Sequence, residues 1–217
     1  MYCKYSKYTV NSQHNSVRVI AYVDGFNLYF GMKENGNNTL WLNIQMLVNS
    51  LLKLNQHLLN VKYFTSRIRN NPNKEARQKK YLEALNSLTD FSVIYGQYQA
   101  QTETCRQCGH AYQYANEKMT DVNMAVALLE DAHYNLYDMA FLITGDSDLV
   151  PSINAIHKMY PNKRVFVAFP PNRSNSSVKK AAKGNMVIGR KKLIDAQFPD
   201  IVTTGGGYDL IRPKSWV

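Results

Sequence analysis

Short runs rich in β-branched and aromatic residues alternate with helical segments along most of this chain. RVIAYV (18–23), LNVKYFTSRI (59–68), FSVIYGQYQA (91–100), DMAFLITG (138–145) and RVFVAF (164–169) read as strands. Between them, LWLNIQMLVNSLL (40–52), PNKEARQKKYLEALNSL (72–88), EKMTDVNMAVALLEDAHY (117–134) and LVPSINAIHKMY (149–160) carry helical signals. Asn71 ahead of Pro72 is a helix-start signal. Strands separated by helices favour a mostly parallel sheet, so the expected class is α/β. With 217 residues and 45% of them hydrophobic, the chain suits one such domain with a small appendage. No apolar stretch approaches the roughly 20 residues that span a bilayer. The start, MYCKYSKYTVNSQHNS, is polar and lacks the apolar centre of a signal peptide. Residues 1–16 therefore read as a flexible tail of a cytoplasmic protein with no membrane partner. Gly205-Gly206-Gly207 reads as the opening of a C-terminal tail over 201–217.

The acidic residues fall where such a fold forms its sites. Asp24 ends the first strand, and Asp146 and Asp148 follow a later one in ITGDSDLVPSI (143–153). Sites in open parallel sheets form outside the carboxyl ends of the strands, so both groups fall at one edge. Asp121 lies in the first turns of the helix over 117–134, off a face formed by Val122, Ala125, Val126 and Leu129. Each aspartate alone also reads as a helix cap or a favourable charge at a helix start. Together, carboxylates that repel one another call for a cation, and hard Mg²⁺ or Mn²⁺ takes oxygen ligands. Metals held this way activate water and stabilise a phosphoryl transition state. Asn27 and Thr144 are polar companions at the same edge, suited to positioning the aspartates or to satisfying local turns. Phosphatases with an aspartyl nucleophile place D-x-D after the first strand; here that position reads Asp24-Gly25-Phe26, which makes that class minor.

The formal net charge is +10. Ten Lys or Arg residues and no Asp or Glu lie between Lys158 and Leu193. Lys179, Lys180 and Lys183 share a helical register, and Arg173 sits in the loop after the 164–169 strand. A second basic cluster runs through Arg67, Arg69, Lys74, Arg77, Lys79 and Lys80. Such charge suits a polyanionic partner, although a solvated face gives the same pattern. Tyr95, Tyr98, Tyr112 and Tyr114 are candidates for stacking on unpaired bases.

Cys105 and Cys108 form a C-x-x-C followed by glycine and His110, the spacing of a zinc knuckle. One knuckle supplies two of four ligands. His133, Cys3 or a second chain would complete the site, which leaves a homo-oligomer open. The alternative is two reduced thiols in a surface loop.

VDGFNLYFG, EKMTDVNMAVALLEDA, FLITGDSDLVPSI and VAFPPNRSNSSVKKAAKGNMVIGRKKL together resemble the LabA-like branch of the NYN-domain family, within the PIN-like nuclease superfamily. The resemblance covers residues 17–200, with the C-x-x-C insertion at 102–115. It implies a three-layer α/β/α sandwich around a central, mostly parallel sheet. It also implies metal-dependent ribonuclease activity on RNA. The family's metal-site aspartates fall on Asp24, Asp121 and Asp146, with Asp148 a further acid and Asn27 the strand-end asparagine. Two readings of function stand: a metal-dependent endoribonuclease, or a non-catalytic RNA-binding or regulatory protein that keeps the pocket.

Overall fold

A computed structural model describes residues 16–69 and 71–217, the side chains of 98–103 and 112–118 excepted. Cys3 and the rings of Tyr98, Tyr112 and Tyr114 lie outside the described residues. In chain order, β1 (Val17–Asp24) leads into α1 (Gly25–Glu34) and α2 (Ile44–Leu51), and β2 (Gln56–Thr65) into α3 (Pro72–Asn86). Next come β3 (Phe91–Tyr95), β4 (Gln97–Thr104), β5 (Ala111–Lys118) and α4 (Thr120–His133). Then follow β6 (Met139–Ile143), α5 (Val150–Met159), β7 (Arg164–Phe169), α6 (Ser176–Ala181), β8 (Gly184–Val187) and α7 (Arg190–Asp195). A last hairpin pairs β9 (Ile201–Thr203) with β10 (Asp209–Ile211).

The central sheet has the order β3-β2-β1-β6-β7-β8, and every pairing in it is parallel. Alternation along β1 divides the core. Val19, Ala21 and Val23 meet Leu28 and Met32 of α1, Leu47 of α2 and Leu85 of α3 on one face. Ile20 and Tyr22 meet Met124 and Leu128 of α4, Ile153 of α5 and Val178 of α6 on the other. Side chains alternate faces along a strand, so the stretch buried on both sides, Val19–Val23, carries no charged residue. The result is the expected α/β/α sandwich. The order reverses at β1, with β2 on one side and β6 on the other. The carboxyl ends of β1 and β6 therefore flank a topological switch point.

Three expectations need correction. The run 91–100 is two strands, not one, because the chain breaks at Gly96 and enters the antiparallel hairpin β4–β5. The buried face of α4 is Thr120, Met124, Leu128 and Asp131, while Val122 and Val126 point outward. Residues 201–217 are no tail. The β9–β10 hairpin docks, and Trp216 is buried against Trp41 and Tyr81, with ring centroids 6.2 and 5.8 Å away. Burying so large a ring outweighs the backbone freedom of the three glycines before it.

One polar group within the core was not anticipated. Asp131 is buried under α4, accepts a 2.5 Å hydrogen bond from the Tyr22 hydroxyl and pairs with the Lys62 ammonium at 2.7 Å. The helical pattern of α4 gives no sign of it, because an aspartate near a helix end reads as solvent-facing.

A candidate metal centre at the carboxyl edge of the sheet

Three carboxylates converge at the switch point. Asp24, Asp121 and Asp146 each offer an oxygen, and these atoms lie within 4.8 Å of one another. Asp24 is the last residue of β1 and the N-cap of α1, where its Oδ1 accepts the Asn27 backbone N–H at 2.9 Å. Its Oδ2 accepts the Thr144 hydroxyl at 3.0 Å. The Thr144 oxygen in turn accepts the Asp146 N–H at 3.0 Å. Asp146 caps the short 3₁₀ turn that follows, accepting the Asp148 N–H at 2.9 Å. Asn27 ties α1 to the same loop, its Oδ1 accepting the Gly145 N–H at 3.0 Å. The capping preference of aspartate and its acidity are thus used together at Asp24 and at Asp146.

Gly145 is required by a close approach. A Cβ there would stand 1.8 Å from the Arg173 carbonyl oxygen, so the loop before α6 lies directly against the Asp146 turn. The third carboxylate arrives from the opposite helical layer, on the second residue of α4. Met119 ahead of it takes a left-handed backbone (φ 76°), unusual for a non-glycine residue, where the hairpin turns into the helix.

The electrostatics fit a cation. Burial pushes the Asp24 carboxyl up to about 7, with Asp121 and Asp146 adding repulsion and the bonds from Asn27 and Thr144 opposing it. Asp121 is raised as well, by burial and then by Asp146 and Asp148. Three crowded carboxylate oxygens form the donor set a hard divalent ion prefers.

The remaining site residues scatter. Asp148 is exposed and outside the three-carboxylate group, though near enough to act on Asp121. Thr144, a candidate for positioning the aspartates or contacting substrate, is fully buried and bonds both the Asp24 carboxylate and the Asp146 N–H. The Arg173 guanidinium pairs with Glu34 and lies 6.0 Å from the Phe30 ring centre. Lys179 sits over the Phe169 ring at 5.6 Å, toward the acidic edge. Lys183 does not join it. Its N–H bonds the Val165 carbonyl near the start of β7, toward the opposite sheet edge. The helix α6 ends at Ala181 and Ala182 is extended (ψ 149°), which breaks the register that grouped the three lysines. Lys180 is exposed on α6. Cys105 and Cys108 occupy the tip of the β4–β5 hairpin, where N–H groups of Gln107 and Cys108 and the Cys108 thiol hold the Cys105 thiol below its usual range. No third ligand joins them among the described residues.

The NYN domain family model matches residues 18–188. The chain belongs to the NYN-domain family. NYN domains are nuclease-like, with RNA-related functions, and no helix among the described residues is long and apolar enough to cross a membrane. A curated relative, 6-hydroxy-3-succinoylpyridine 3-monooxygenase HspA of Pseudomonas putida, is 26% identical, with 92% of this chain and 75% of the relative aligned. A solved structure of a Vibrio parahaemolyticus protein of unknown function shares the fold at TM-score 0.56 and 20% identity, covering 83% of this chain and 98% of that one.

Proposed function

We propose that this NYN protein is a metal-dependent endoribonuclease whose divalent ion, Mg²⁺ or Mn²⁺, is held by Asp24, Asp121 and Asp146. The convergence of three carboxylates from β1, α4 and the β6 loop, in a chain of net charge +10, carries this reading. When bound, the ion supplies an activated water and neutralises phosphoryl charge. Asn27 and Thr144 fix the Asp24 side chain and the Gly145–Asp146 backbone before substrate arrives, which removes the reorganisation that would otherwise accompany the reaction. Asp148 stands outside that group and orients water or substrate at its exposed side. Lys179 and Lys180 contact the RNA backbone from the rim. Cys105 and Cys108 form a zinc half-site, completed by ligands beyond those two thiols.

The test is incubation of single-stranded and structured RNA and DNA with and without Mn²⁺. Wild type is expected to cut RNA only with metal, and Asp146→Asn to bind RNA without cutting it. Retained cleavage in the variant would remove the acidic centre from the chemistry. RNA binding without turnover in wild type would favour the regulatory reading.

A second reading rests on the relative's name together with an aromatic-lined cavity beside the site. It makes the protein a binder of small aromatic heterocycles, and the RNA panel decides against it if cleavage is seen.

A further inference from the structure

A cavity of about 210 Å³ opens between α1 and α3, beginning one residue beyond Asp24. Its walls are aromatic: Phe26, Tyr29 and Phe30 from α1, Tyr63 from β2, Tyr81 from α3, and Trp216 from the docked C-terminal turn. Its apolar character is unlike the rest of the carboxyl edge, where polar loops gather. At its mouth stand Lys33, Lys74 and Arg77, none of which makes an ion pair among the described residues. The volume falls below the ~300–1,000 Å³ of pockets for drug-sized ligands, so it suits one flat ring system.

The cavity lies beside the acidic centre, although none of the three carboxylates lines it. Gly25 follows Asp24 directly and lines the cavity, and Thr65 lies one residue past Phe64, the β2 partner of Asp24. From Phe26 the rings continue to Phe30, 6.4 Å away, which in turn lies under Arg173 beside Gly145. The Arg173 guanidinium and the Phe30 and Phe26 rings therefore lie in sequence between the Asp146 loop and the cavity. The wall on the α3 side is held in place by Gln78, whose side chain donates to the Ser66 carbonyl at 2.8 Å and accepts the Ile68 N–H at 2.7 Å.

We propose that this cavity receives one unpaired base of the RNA strand whose backbone crosses the three carboxylates. The assignment rests on the ribonuclease reading. The aromatic walls supply stacking faces, and Lys33, Lys74 and Arg77 meet the phosphates on either side of the inserted base. Such a pairing of rings and cations is what single-stranded nucleic acid requires. It selects for unstacked RNA, because a base held in a duplex cannot enter. The N-terminal half of α3, as well as Lys179 and Lys180, thus becomes part of the RNA path.

The experiment uses a short unstructured oligoribonucleotide and a series in which one abasic residue moves along it. Affinity is measured with Asp146→Asn by fluorescence anisotropy, and single-turnover cleavage with wild type. One abasic position, at a fixed offset from the cut, is expected to weaken binding roughly 5- to 150-fold, the range of base–aromatic stacking. Tyr29→Leu and Phe26→Leu, each built on Asp146→Asn and checked for folding by circular dichroism, are expected to lose a similar factor on intact RNA. They should also become indifferent to that abasic position. If RNA is cut by wild type but every abasic position behaves alike, or the variants keep the discrimination, the cavity assignment fails and the ribonuclease reading stands. If the protein neither binds nor cuts RNA, both fail. Binding of a free pyridine-type heterocycle in that case would assign the cavity to a small ligand.

Discussion

Replacing Asp24 with asparagine should make the metal-free protein more stable at pH 8. A carboxyl raised by burial is more favourably protonated in the folded state than in the unfolded chain. Its contribution is present below the unfolded value of 3.8 and is lost as pH rises through about 7. The difference, about 7 minus 3.8, is roughly 3 units, or about 4 kcal/mol at 1.36 kcal/mol per unit. Asparagine keeps the shape and the Asn27 cap, carries no charge, and leaves the Thr144 hydroxyl proton without its acceptor, a loss of about 1 kcal/mol. The net gain above pH 8 is therefore about 3 kcal/mol. For a chain of this size that is a rise of about 6–12 °C in melting temperature. Near pH 4 the gain should vanish, because the wild-type carboxyl is then protonated in the fold. The assay is thermal unfolding of both proteins in chelator from pH 4 to 8, repeated with Mn²⁺, which should stabilise only wild type strongly. A variant that melts below wild type at pH 8, or two curves that run parallel across the range, would refute the argument.

Gly145→Ala should destabilise the fold by about 1–3 kcal/mol or more in urea unfolding, since the added methyl meets the Arg173 carbonyl. Lys179→Ala should reduce the salt slope of RNA binding by about 0.7, whereas Lys183→Ala, toward the far edge of the sheet, should leave it unchanged in the same titration. Trp216→Ala should cost about 3–5 kcal/mol in unfolding free energy, because the ring is buried among Trp41 and Tyr81; an unchanged denaturation midpoint would show that the C-terminal turn contributes nothing.

The sheet and the acidic edge were legible because each depends on local pattern. An uninterrupted run such as VIAYVD between helical segments is what a strand buried on both faces of a parallel sheet requires, and the aspartate that ends it emerges at the carboxyl edge. Asp146 follows by the same logic from MAFLI. The α4 face was misread because apolar residues occur on both sides of that helix, and only tertiary packing selects Met124 and Leu128 over Val122 and Val126. Lys183 was grouped by a helical register that the chain abandons at Ala182, a break that lysine and alanine composition does not signal. Trp216 was overlooked because its partners Trp41 and Tyr81 lie far away in sequence. The cavity is invisible for the same reason: its walls come from α1, β2, α3 and the C-terminus.

The contact between Gly145 and Arg173 has a consequence for synthesis. A ribonuclease is made on a particle built largely of RNA, so activity in an unfinished chain would be hazardous. Asp24 and Asp121 emerge early, but Asp146 sits on a loop pressed between α1 and the segment carrying Arg173. The strand β7, which pairs with β6 and delivers that segment, is translated after all three aspartates. The acidic centre therefore acquires its geometry only after residue 173 has left the ribosome, which, on the proposed ribonuclease function, keeps a partly made chain from having a complete site.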